Sequence, residues 1–280
     1  MHWQSLKLRI VFAASVTCAS AQWLNYPTPG TPRTNDGKPN LSAPTPRASN
    51  GKPDLSGVWQ VDPAPGEMER KVGDVGTFAV PGDDPRTFSP YFFNILADFK
   101  PEDAPIRPEA ATVFETHAKT YGKDHPSSHC QPMGIPGTEL IAVPFKMIQT
   151  PGVVVMLHEQ DFTFRQIYTD GRPLPADPQP SWLGYSIGKW EGDTLVVTTA
   201  GFNDKAWLDA IGHTHTEALR VEERFRRRDF GHMELQITID DAKTFTKPFT
   251  IKVNQLLVPD SDVLETVCAE NERDRAHFAK

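Results

Sequence analysis

The sequence predicts a mainly β protein: an antiparallel meander that closes into a barrel or curls into a strongly curved, calycin-like sheet, with one or two helices before it and a Pro-rich N-terminal arm. Proline thins out along the chain, with fifteen of its 26 copies at or before Pro108 and two after Pro180, so regular hydrogen bonding should concentrate late. From Glu139 onward the pattern changes to strands, and period-two alternation is cleanest in one pair of them. Leu219, Val221, Phe225 and Met233, Leu235, Ile237, Ile239 share one phase, and Arg220, Glu222, Arg224, Arg226 and Glu234, Gln236, Thr238 share the other. The connections are short: Glu191-Gly192-Asp193 and Asp229-Phe230-Gly231 supply hairpin turns. Turns of that length cannot carry crossovers, which disfavours a parallel sheet, and closure into a barrel removes exposed edges.

The elements follow in order. Residues 1–21 read as a secretory signal, with Lys7 and Arg9, an apolar run from Ile10 to about Thr17, and Ala19-Ser20-Ala21 as the cleavage site. That assigns the mature chain to the periplasm or to secretion; a lipid anchor on Cys18 is the rival reading. Residues 22–54 form a Pro/Gly-rich arm or linker, in which Asp36-Gly37-Lys38-Pro39-Asn40-Leu41-Ser42 is echoed by Asn50-Gly51-Lys52-Pro53-Asp54-Leu55-Ser56. Residues 55–280 make a single β-rich domain whose first strand is Gly57–Val61. Its helical insertion, about 88–122, starts with Ser89-Pro90 as cap and first turn. Phe92, Phe93, Ile95, Leu96 and Phe99 then repeat at helical spacing until Pro101. A second helix from Pro108 is expected to bury Val113, Phe114, Ala118 and Tyr121. Strands are expected over 140–148, 153–158, 162–168, 183–190, 194–199, 217–227, 232–239 and 249–258.

Composition removes some functions. The net charge of −7 disfavours a nucleic-acid surface, which needs a basic excess. No stretch after residue 21 approaches the roughly 20 apolar residues of a membrane span. Two of the three cysteines remain after the signal, and Cys130 and Cys268 are a natural pair in an exported chain, with two separate buried thiols as the alternative.

Several residues are candidates for chemistry. Gly184-Tyr185-Ser186-Ile187-Gly188 has the form of a hydrolase nucleophile elbow, with Asp209 and then His213 or His215 following in order. No helix follows the serine, so Ser186 is expected to face out of a hairpin strand. In Gly212-His213-Thr214-His215-Thr216-Glu217, an extended backbone would put His213, His215 and Glu217 on one face. Two imidazoles and a carboxylate could then hold a divalent metal, Zn, Fe or Mn, with Glu159 or His158 as a fourth ligand; solvated histidines are the alternative. His215 with Glu217 also has the groups for acid–base catalysis. Arg165, in an aromatic strand, is either a surface ion pair or buried against Glu159, Glu217, Glu223 or a ligand anion. Glu222-Glu223-Arg224 and Arg226-Arg227-Arg228 read as charge ladders on the wet side. Trp59, Trp182, Tyr185 and Trp207 are candidates to line a pocket for a hydrophobic or aromatic molecule.

Gly51-Lys52-Pro53-Asp54-Leu55-Ser56-Gly57-Val58-Trp59, the run from Gly184 to Val197 containing Trp190-Glu191-Gly192-Asp193-Thr194-Leu195-Val196-Val197, and Cys268-Ala269-Glu270-Asn271 resemble a family of exported bacterial proteins without an established activity. That resemblance covers most of the mature chain and implies a periplasmic or secreted setting. A weaker similarity, an early Gly-x-Trp strand before a meander with Leu157-His158-Glu159 ahead of Arg165, is to calycin barrels such as lipocalins and nitrobindins. Three functional readings result. The first is a barrel that binds a small, partly hydrophobic molecule, with His215, Glu217, Arg165 and Glu159 at its mouth. The second is an enzyme on that barrel, and the third an envelope or partner-binding protein without a pocket.

Overall fold

The computed structural model describes residues 26–62, 88–120 and 123–268, and within them nine strands close into one barrel. They are β1 Gly57–Val61, β2 Phe145–Thr150, β3 Val153–His158, β4 Phe164–Tyr168, β5 Tyr185–Glu191, β6 Thr194–Ala200, β7 Arg220–Arg227, β8 His232–Asp240 and β9 Phe249–Leu257. Neighbours in sequence are neighbours in space, and β1 seals the sheet against β9 through Trp59↔Leu257 and Val61↔Gln255. Alternation does the sorting. Val221, Phe225, Leu235, Ile237 and Ile251 point inward and are buried, while Arg220, Glu222, Arg224 and Lys252 point outward. The interior is filled by these residues with Trp59, Phe145, Met147, Met156, Ile167, Leu195 and Val197, so it is a packed core and not an open cup.

The sheet departs from a pure antiparallel meander at one junction. β4 and β5 run parallel, paired only at Ile167↔Ser186 and Tyr168↔Ile187. A parallel pair needs a long return, and residues 169–184, with Pro173, Pro175, Pro178 and Pro180, provide it without a helix.

The helices are smaller than their periodicity suggests. Helix α1 covers only Pro90–Phe93, with Ser89 Oγ accepting from Tyr91 N–H at 3.3 Å. It stops at Asn94 because carboxylate and amide side chains capture the next backbone groups: Asp209 accepts from Ile95 N–H at 2.7 Å and Asn94 accepts from Leu96 N–H at 2.9 Å. Helix α2, Pro108–Lys119, buries none of its residues, and Val113 is exposed. Its rings pack on the connection between β6 and β7: Phe114 stacks on His213 and His117 on Trp207. Tyr121 lies outside the described residues, as does the signal segment. A short helix α3, Gly137–Leu140, is buried throughout.

The arm folds as two equivalent turns. Thr34 and Ala48 N–H donate to Lys38 and Lys52 C=O, and Asn40 and Asp54 N–H donate to Pro32 and Pro46 C=O. The sequence echo is thus a structural repeat. Each copy aims one arginine at the barrel: Arg33 grips Asp260 at 2.9 and 2.6 Å, and Arg47 grips Asp193 at 2.7 Å twice. Between the two turns the chain adds backbone bonds from Phe230 and Gly231 N–H to Ala43 and Leu41 C=O. A Cys130–Cys268 disulfide ties the segment before α3 to the chain beyond β9.

Candidate functional site

Successive strands each contribute one polar side chain to a layer inside the barrel. β3 gives His158, β4 Arg165, β5 Ser186, β6 Thr199, β7 Glu223 and β9 Gln255, with Glu139 entering from α3; all are buried. Arg165 is the hub. Its guanidinium meets Glu223 with both terminal nitrogens, one at 2.9 Å, and donates to Thr199 Oγ1 at 2.8 Å, Glu139 Oε1 at 3.4 Å and, through Nε, Ser186 Oγ at 3.0 Å. Every donor of the fork is thereby used. Burial pushes the Glu223 carboxyl up from its ordinary value, and the adjacent Arg165 charge opposes that rise. His158 turns Nδ1 toward Thr163 Oγ1 at 3.2 Å, while its Nε2 stands 3.7 Å from Glu139 Oε1 without a hydrogen bond.

β4 and β5 pair over two positions only, and beside this short pair lies a groove of about 420 Å³ whose lining includes Arg165 and Ser186. Phe162, Phe164 and Tyr168 form one side, Trp182, Leu183 and Tyr185 the other. Tyr168 and Tyr185 stack across the seam with centroids 5.3 Å apart, and Arg172, held by Asp170, lies over the Tyr168 ring at 3.8 Å. Two backbone features shape the rim. Gly184 has φ +64°, and a Cβ there would stand 2.8 Å from Thr199 Cγ2 and 2.9 Å from Ala200 O, so glycine alone lets Trp182 and Leu183 bend over the groove. Asp161 and Phe162 have φ of +61° and +49°, costly for side chains of this size. The turn is tied down by Met133 N–H donating to Asp161, and it leaves Phe162 46% and Phe164 63% exposed.

The histidine run lies elsewhere and does not make the expected trio. Residues 213–216 are irregular and β7 begins at Arg220, so the strand phase that would align His213, His215 and Glu217 is absent. His213 Nδ1 is 2.5 Å from Asp209, and its ring is covered by Phe114. His215 Nδ1 faces Thr216 O at 3.1 Å, and burial pushes its pKa down. Glu217 is exposed in a turn, and no group of three His, Cys, Asp or Glu side chains among the described residues is arranged to hold a metal ion.

Arg165, Trp182 and Tyr185 therefore meet at one groove, and the other candidates stand apart from it. Trp59 is fully buried in the core, its Nε1 donating to Leu55 O at 2.9 Å. Trp207 is covered by His117 and His125, and Glu159 accepts from Leu264 N–H at 2.8 Å. Ser186 faces inward, not outward, and its hydroxyl is bonded to Arg165 and Thr199, so no nucleophile elbow is formed. Glu223 and Arg227 also face inward, since odd positions of β7 lie on the core phase, leaving Glu222, Arg224 and Arg226 in the outer ladder with Glu191 and Glu234. Phe162, Phe164, Tyr168, Glu139 and Thr199 were not anticipated. Phe162, Phe164 and Tyr168 shared the phase opposite Arg165, and that was the available signal. No family model matches the chain, and searches of curated proteins and of solved structures find no match either.

Proposed function

We propose that this chain is an exported barrel that binds a small, uncharged, partly aromatic molecule in the groove between β4 and β5. The observation carrying this reading is the concentration of Phe162, Phe164, Tyr168, Trp182 and Tyr185 around the groove beside the short β4–β5 pair. Pockets for small molecules are apolar, with few polar groups at their base. Here the base is Arg165 and Ser186, whose hydrogen bonds are already made within the protein. A ligand anion would compete with Glu223 for the guanidinium, so an uncharged molecule is favoured over an acid. The Cys130–Cys268 bridge supports an oxidising compartment, in keeping with the resemblance to exported bacterial proteins.

The enzyme reading finds less support, because His215 and Glu217 do not face one another across a cavity. The test is titration with the neutral fluorophore N-phenyl-1-naphthylamine. Saturable enhancement with energy transfer from tryptophan is expected, weakened about tenfold or more by Trp182→Ala or Tyr185→Ala. Linear, non-saturating enhancement unaffected by both substitutions contradicts the proposal.

A further inference from the structure

The turn Gln160–Phe162, between β3 and β4, is the least relaxed part of the groove wall: Asp161 and Phe162 both have positive φ, and Phe162 lines the groove while nearly half exposed. Side chains of this size keep that conformation only where their surroundings impose it. Two segments grip the turn. On one side Met133 N–H donates to Asp161 Oδ2 at 3.1 Å; on the other Glu159, at the head of the turn, accepts from Leu264 N–H at 2.8 Å. Cys130 stands three residues before Met133 and Cys268 four residues after Leu264, so their bridge joins the two gripping segments to each other. Pro132, between Cys130 and Met133, itself lines the groove.

We propose that the Cys130–Cys268 disulfide is a redox-sensitive clamp on the groove. Closed, it keeps the turn and Phe162 in the arrangement that receives the ligand; opened, it frees the tail and lets the turn relax. The proposal rests on the groove reading for its ligand and on the two grips for its mechanism. Both cysteines are exposed, and exposed disulfides are the ones that undergo thiol–disulfide exchange. Opening is a two-electron step. One thiolate of a dithiol attacks a cysteine sulfur, the S–S bond breaks, and the other cysteine leaves as a thiolate. The second thiol of the reductant then displaces the mixed disulfide; two protons end on the cysteines, and the dithiol ends as a disulfide. Nearer β9 the chain stays attached through Asp260 to Arg33 and Asp262 to Lys146, so the release is confined to the tail and the turn beside it.

Titration with N-phenyl-1-naphthylamine before and after dithiothreitol, with thiol counting to establish that the bridge is open, tests the clamp. The expected result is binding weakened about tenfold, as the competent fraction falls to about a tenth, and restored on reoxidation. Amide exchange at Met133 and Leu264 should quicken in the same step, more than in β8. Glu159→Ala loosens the turn with the bridge intact, so it should weaken binding similarly and leave the reductant little further effect. The Cys130→Ser/Cys268→Ser pair should bind like the reduced protein and ignore dithiothreitol. Equal affinity with the thiols free overturns the proposal, as does unchanged exchange at both amides or a loss of binding that accompanies loss of the β-sheet circular dichroism. Oxidised protein that does not bind the fluorophore contradicts the groove reading alone, and the exchange measurement then decides the clamp by itself.

Discussion

Arg165 brings five N–H donors into the barrel, and Glu223, Glu139, Thr199 and Ser186 answer all of them. Removing one partner strands the other. Arg165→Met should cost about 3–5 kcal/mol in urea unfolding, since it leaves Glu223 buried and unpaired. Adding Glu223→Leu should recover part of that loss; a single substitution no worse than a surface change would contradict the pairing. Histidine supplies the pH dependence. Burial lowers the pKa of His125 to about 4 and that of His215 in the same direction. In the unfolded chain both take up a proton near 6.5, so stability present above that pH declines as pH falls below about 6.5, for His125 down to about 4. The His125 share is at most about 3 kcal/mol. His125→Asn, which can still accept from Ser127 N–H, should flatten this limb of the stability–pH curve; an unchanged limb would show that His125 is not its source.

Each arm turn is held by one exposed arginine–aspartate pair, Arg33 to Asp260 and Arg47 to Asp193. Arg47→Ala should speed amide exchange in residues 46–54 more than in 32–40, and Arg33→Ala should do the reverse. Equal effects on both turns would mean the arm opens as one unit. The arm also rests on Gly231, where a Cβ would meet Leu41 Cβ at 2.5 Å. Gly231→Ala should cost about 1–3 kcal/mol by overpacking, read as a lower Tm with faster exchange at Leu41 and Ala43. The echo was visible in the sequence, but its role was not, because arginine-to-aspartate contacts across more than a hundred residues leave no periodic trace. Helix α1 ended early for a similar reason: the Asp209 carboxylate that captures Ile95 N–H is 114 residues away.

At the scale of the molecule, period-two alternation made β7 and β8 legible and the short turns the rest of the meander, while the paired cysteines were legible from their count and the expected export. The Cys130–Cys268 link spans 138 residues, and loss of it through paired serine substitutions should cost about 5 kcal/mol in the chain-entropy account. No change in unfolding free energy would show that the unfolded chain gains nothing from its release. The groove was only half legible. Trp182, Tyr185 and Arg165 stood out as residues, whereas the groove lies beside a parallel pair two residues long, and turn lengths argued for no parallel pair. The metal trio failed because it required a strand at 213–217, where the chain is irregular. The most direct test of the account is an amide-resolved NMR titration with N-phenyl-1-naphthylamine. The account predicts saturable shifts confined to residues 162–168 and 181–186, and shifts scattered over the barrel or centred on His213–Glu217 would contradict it.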